Sequence, residues 1–189
     1  MTVSSVAAIT VVLAFFIPSL TLAYNPPTGG PQNGPFLATH EISLTDRYPV
    51  KSVNDVFKDN ILLTTFYLKN GKAAVTRKPD WNTVEQPFNY SFTLNPGEVF
   101  AFHDSLLAEF KSKTVVTTNS HFNATDGFKS DGYLFGDGVC HLASLIYWVA
   151  KDAGLEATSP IDHDFAKITG ISKEYGVSIY YHPYFQNSS

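Results

Sequence analysis

The chain has 189 residues, 13 Lys and Arg against 17 Asp and Glu, a net charge of −4 and a single cysteine. The basic residues are scattered with no basic block, which excludes the electrostatic footprint of a nucleic-acid binder. One cysteine excludes an internal disulfide framework, leaving an intermolecular bridge, an inert buried thiol or a reactive one.

In chain order, residues 1–23 read as a signal segment or N-terminal anchor: residues 6–17 are almost unbroken apolar, Pro18 ends the run, and Thr21, Leu22 and Ala23 are small or apolar before a cleavage point after Ala23. No Lys or Arg precedes the run, and it is short for a membrane span. Either form places the rest outside the cytoplasm. Residues 24–37, with Pro26, Pro27, Gly29, Gly30, Pro31, Gly34 and Pro35, have the composition of a flexible tether. The remainder, residues 38–185, is one domain's length.

Within it, residues 52–58 predict a helical turn. Ile61 to Leu68, β-branched and aromatic, predicts a strand closed by the hairpin-forming pair Asn70-Gly71, with residues 73–77 as the returning strand. Residues 78–87 read as an irregular loop. Residues 88–94 alternate apolar and polar, the pattern of a half-buried strand, and Asn95-Pro96-Gly97-Glu98 turns the chain into an extended segment at 99–102. A short helix is expected at 104–111, a strand at 113–118 and a polar surface loop at 119–131.

The most organised stretch is Gly136-Asp137-Gly138-Val139-Cys140-His141, which runs directly into a helix. Leu142, Leu145, Ile146, Val149 and Ala153 recur at three and four residues, and Gly154 stops it. Asp137 is placed to accept from the free N–H groups of the first turn. Cys140 then lies in that turn, where the helix dipole favours a thiolate. A lone cysteine near a helix start is equally at home as a small packed hydrophobe. Ser144 is one turn on, facing the same side. Two short strands are expected at 166–171 and 177–181, and residues 186–189 read as a polar tail. The fold class is α+β: a mixed, β-rich single domain with one central helix carrying Cys140 in its first turn.

The Cys140 block, with Ser144, Tyr147 and Ala153-Gly154-Leu155, resembles the G-G-G-x-C-Q-x-S-S-T-x-Y…A-G-L signature of the VanW domain family of bacterial cell-envelope proteins. Residues 94–102 resemble its L-x-P-G-E-x-F-S-F element, Asn60-Ile61 its upstream N-I block, and His163 falls in register with the His of its H-P-H-S stretch. The resemblance covers roughly residues 59–165. His141 stands where the family has Gln, Ala101 and Asp164 where it has Ser, and Pro160 where it has Arg or Asn.

Members of that family are linked to peptidoglycan L,D-transpeptidation, in which a cysteine is acylated by the third residue of a stem peptide. The resemblance therefore implies an extracytoplasmic cysteine acyl-transferase, either L,D-transpeptidase or carboxypeptidase, acting on peptidoglycan stem peptides without a cofactor. Cys140 is the nucleophile. His163, in a loop able to fold back, is the general base, with Asp162 and Asp164 to orient it. Backbone N–H groups around Gly138, Val139 and His141 face the oxyanion, His141 and Ser144 meet substrate, and Asp104 and Tyr133 are further pocket candidates. Two other classes stand beside this. A zinc site of His141, Asp162, His163, Asp164 and Cys140 fits no helical H-x-x-x-H or paired-Cys spacing. A non-catalytic envelope-binding module would need Cys140 only for packing.

Overall fold

The first strand is only three residues long, Thr2–Ser4 (β1), yet it occupies an inner position of a four-stranded sheet. The computed structural model describes residues 2–4, 9–16, 19–25, 38–71, 79–103, 108–132, 136–164 and 166–179. Seven further strands follow: Ile9–Phe16 (β2), Ser19–Asn25 (β3), Ala38–Ser43 (β4), Phe88–Leu94 (β5), Val99–Ala101 (β6), Thr114–Thr117 (β7) and Glu156–Thr158 (β8). They form two sheets, ordered β7-β6-β1-β8 and β4-β3-β2-β5, all antiparallel except the β6–β7 pair. The segment expected to be a leader or anchor thus supplies strands to both sheets, Leu20 being fully buried. Of the expected tether, Tyr24 and Asn25 end β3 and residues 26–37 lie outside the described part.

The helices are Lys51–Asn70 (α1), Trp81–Val84 (α2) and Val139–Asp152 (α3). The class is mixed α+β in a single domain, with α-helix and strand in nearly equal measure among the described residues. The largest departure from the sequence reading is α1: the helical turn and strand expected over residues 52–68 are one 20-residue helix. Asn54, residues 59–65, Tyr67 and Leu68 are all buried along it. A helix covered on nearly every side shows an unbroken apolar run like that of a buried strand, and periodicity does not separate the two. Asn70-Gly71 accordingly ends a helix and does not turn a hairpin. Gly71, at φ 72°, donates its N–H to the Tyr67 carbonyl at 2.8 Å.

β5 alternates in burial along its length, and the Asn95–Glu98 turn closes with a 2.9 Å backbone hydrogen bond. The loop expected at 78–87 contains α2, whose first turn is capped by Asp80 accepting from Asn82 N–H at 3.1 Å. Residues 73–77 and 186–189 lie outside the described part, as does most of the helix expected at 104–111, of which Ala108–Phe110 is a 3-10 turn. Residues 166–171 and 177–179 are not strands, and 180–181 of the second expected strand lie outside the described part; Asp162 and Val177 form an isolated antiparallel bridge and Lys173–Tyr175 a 3-10 turn. Among the described residues no helix is long and apolar enough to cross a membrane.

Candidate active site

Two asparagines on α1 place the loops that carry the site. Asn60, fully buried, donates to the carbonyls of Lys129 and Asp137 at 3.0 and 2.9 Å and accepts from Lys129 N–H at 2.8 Å. That fixes the turn leading into α3. Asn54 accepts from the N–H groups of Arg47 and Tyr48 at 2.6 and 3.2 Å and donates to the Leu44 carbonyl at 3.1 Å, holding the turn that presents Arg47.

α3 begins at Gly138, the N-cap residue, at φ 88°. A Cβ there would lie 2.6 Å from Phe57 Cα, so only glycine lets α3 start against α1. Asp137 does not cap the helix as expected; its Oδ2 accepts from Asp131 N–H at 3.2 Å instead. Burial pushes its carboxyl up to about 6, Asp131 adding to the rise by its charge.

Cys140 lies in the first turn of α3 and is 6% exposed. The expected thiolate is not its resting form: burial pushes the thiol up to about 11. Hydrogen bonds to the sulfur from Ile179 N–H, the Ser178 hydroxyl and its own N–H act the other way, but desolvation, joined by the Asp137 charge, outweighs them. The oxyanion donors expected in the same turn are partly spent. Val139 N–H donates to the Gly136 carbonyl at 3.1 Å and His141 N–H to the Gly138 carbonyl at 2.9 Å, and the Val139 side chain is fully buried in the core.

His163 arrives from a segment that antiparallel backbone bonds hold against residues 176–178. His163 N–H donates to the Gly176 carbonyl at 3.1 Å and Ser178 N–H to the Ile161 carbonyl at 3.0 Å. Ser144, expected to meet substrate, is fully buried; its Oγ accepts from Val177 N–H at 3.0 Å, tying that segment to α3. The result brings Cys140, His141 and His163 to the wall of one cavity of about 110 Å³, with Arg47, Tyr48, Phe57, Gly138 and Lys167. A larger cleft of about 540 Å³ shares His163, Ala166 and Lys167 with it and is lined further by Ile168 and Ile171.

His163 Nδ1 lies 2.9 Å from the Ala166 carbonyl. A carbonyl only accepts, so Nδ1 carries the proton and Nε2 the lone pair. The orienting role expected of Asp162 and Asp164 is therefore filled by a backbone carbonyl. Both aspartates are exposed, and Asp164 pairs with Lys173 at 3.4 Å. Burial holds His163 below the ordinary imidazole range, so it is neutral at pH 7. His141 is pushed down to about 3, by burial first and then by the Arg47 and His163 charges. Its ring meets Phe57 edge-on at 5.3 Å and His163 at 6.3 Å.

Among the described residues no group of three or more His, Cys, Asp and Glu is arranged to hold a metal ion. Asp104 and Tyr133 lie outside the described residues. Arg47 is the site residue the sequence reading missed. It sits in a stretch with no periodic pattern, and it is held inward by Asn54 through its backbone N–H and by the Thr169 carbonyl through its Nη1. Compared with family models, with curated proteins and with solved structures, the chain matches none.

Proposed function

We propose that this protein is an extracytoplasmic cysteine acyl-transferase acting on peptidoglycan stem peptides, with Cys140 as nucleophile and His163 as general base. The observation that carries the reading is that a thiol in the first turn of a helix shares one small cavity with a neutral histidine whose Nδ1 is tied to a backbone carbonyl. The VanW-like pattern of the Cys140 block supplies the substrate class.

In this reading the thiol attacks as it loses its proton. His163 Nε2 takes the proton from Sγ while the sulfur bonds to the carbonyl carbon of the stem's third residue. The oxyanion forms at the positive end of the α3 dipole. His163 then returns the proton to the departing nitrogen, the C–N bond breaks, terminal D-alanine leaves, and a thioester remains on Cys140. An amine from a second stem resolves it by transpeptidation, or water by carboxypeptidation, with His163 again accepting the nucleophile's proton. The larger cleft, with Lys167 at its edge, is where the rest of an acidic stem peptide would lie.

The test is intact-mass analysis after incubation with a tetrapeptide stem. An adduct equal to the stem minus D-alanine on wild type, absent from Cys140→Ala, is expected; no adduct on either protein rejects the proposal. One observation favours a second reading, a binding module with a packed cysteine: Cys140 is as buried as the core around it. That reading expects stem binding with unchanged affinity in Cys140→Ala and no thioester at any pH.

A further inference from the structure

Arg47 is a buried charge whose partners do not account for it. It is 4% exposed, and its Nη1 donates to the Thr169 carbonyl at 2.9 Å. Its Nε has no hydrogen-bond partner, and among the described residues no carboxylate forms an ion pair with it. His141, 6% exposed, likewise has Nδ1 without a partner. Both side chains line the cavity that Cys140 and His163 border. Buried donors are almost always satisfied, and a buried guanidinium is ordinarily matched by an anion.

The chemistry of the missing partner follows from the donors. The guanidinium keeps its charge at any physiological pH, and the exposed Asp46 carboxylate acts on it through its field but offsets less than burial costs, so a water molecule would satisfy a hydrogen bond and do nothing for the charge. A carboxylate answers both needs: one oxygen accepts from Arg47 Nε–H, the other from His141 with its proton on Nδ1. A cavity of about 110 Å³ has room for a carboxylate and the short stem that bears it. We propose that Arg47 and His141 form a receptor for the free α-carboxylate of the residue on the leaving side of the bond that Cys140 attacks. The identity of that residue rests on the acyl-transfer reading; the carboxylate binding does not. Acyl donors then end one residue past the scissile carbonyl, and donors that are longer or carboxamide-blocked are rejected.

The experiment uses full-length Cys140→Ala protein, which has no nucleophile, and two probes: N-acetyl-D-alanine and its carboxamide. Titrations are followed by NMR at the Arg47 Nε–H and the His141 ring. The carboxylate is expected to shift both signals and to bind at least about tenfold more tightly than the carboxamide. Arg47→Gln, its fold checked by spectral dispersion, is expected to lose that preference. Equal affinity for the two probes, binding that leaves the Arg47 Nε–H signal unmoved, or no binding of the carboxylate at tens of millimolar overturns the receptor, and none of these depends on an Arg47 variant folding. Carboxylate binding here without a Cys140 adduct on wild type removes the acyl-transfer reading and keeps the receptor. Adducts formed equally from carboxylate and carboxamide donors keep the chemistry and remove the receptor.

Discussion

Cys140 shows how two local effects compete at one atom. The helix start and two neighbouring donors favour the thiolate, yet the sulfur is so far from water that the thiol wins, at about 11. Alkylation by iodoacetamide should therefore rise about tenfold per pH unit from pH 7 to pH 10 with no plateau below the thiol's own titration; a plateau near neutrality would show a thiolate in the resting protein. Slow alkylation at pH 7 consequently says nothing against catalysis that deprotonates the thiol only during attack. His141 carries the opposite sign. Its folded pKa, about 3, is far below that of an unfolded histidine, so its contribution is fully present above about pH 6.5 and is lost as pH falls toward 3. At pH 5 the loss is about 2 kcal/mol. His141→Gln should remove it: urea midpoints at pH 7 and pH 5 should differ less in the variant than in wild type. Asp137, raised to about 6, contributes stability that is lost as pH rises, so the comparison between the two proteins isolates the histidine. Cys140 and His163 were legible as residue types, because nucleophile and imidazole chemistry is written in the side chains. Their ionisation was not, because burial is set by residues far away in sequence.

At the scale of elements, the site is a junction of α1 with the start of α3, and sequence reasoning found only one of its two halves. The glycines and the three-and-four apolar spacing marked α3 correctly, although ten of its fourteen residues are buried. In α1 the β-branched and aromatic residues 61–68 suit a strand as well as a helix, and that hid the roles of Asn54, Asn60 and Phe57. Those roles make sharp predictions. Gly138→Ala must hold a Cβ 2.6 Å from Phe57 Cα at φ 88°, which should cost at least about 2–4 kcal/mol in urea unfolding. Because the clash includes main-chain Cα, adding Phe57→Ala should restore only part of the loss; full restoration would mean the side chain alone was in the way. Asn60→Ala strips the Asp137 carbonyl and Lys129 N–H of their partner and leaves the Lys129 carbonyl with Gly136 N–H alone, and about 2–4 kcal/mol should go with them. Asn60→Asp should be no better, since a carboxylate has nothing to donate to the Lys129 and Asp137 carbonyls.

Over the whole molecule, the two sheets depend on the first 25 residues more than composition indicated. β1 lies between β6 and β8, and β2 between β3 and β5, in register from Ile9 opposite Leu94 to Phe15 opposite Phe88. An apolar run with no Lys or Arg before it reads equally as a leader or as inner strands, since either environment wants the same side chains. What separates them is pairing with residues some eighty positions away, which no local pattern records. A chain beginning at Tyr24 tests this directly. It would lack β1, β2 and most of β3, leaving β5 without its one neighbour among the described residues and β6 paired to β7 alone. Hydrogen exchange should then show the backbone amides of residues 88–94 losing protection by several orders of magnitude. α3 loses its packing on β3 but keeps its contacts with α1 and β4, so Asn60 and the Cys140 turn should keep more of their protection than residues 88–94. Full protection of residues 88–94 in the shortened chain would mean that β5 does not need β2.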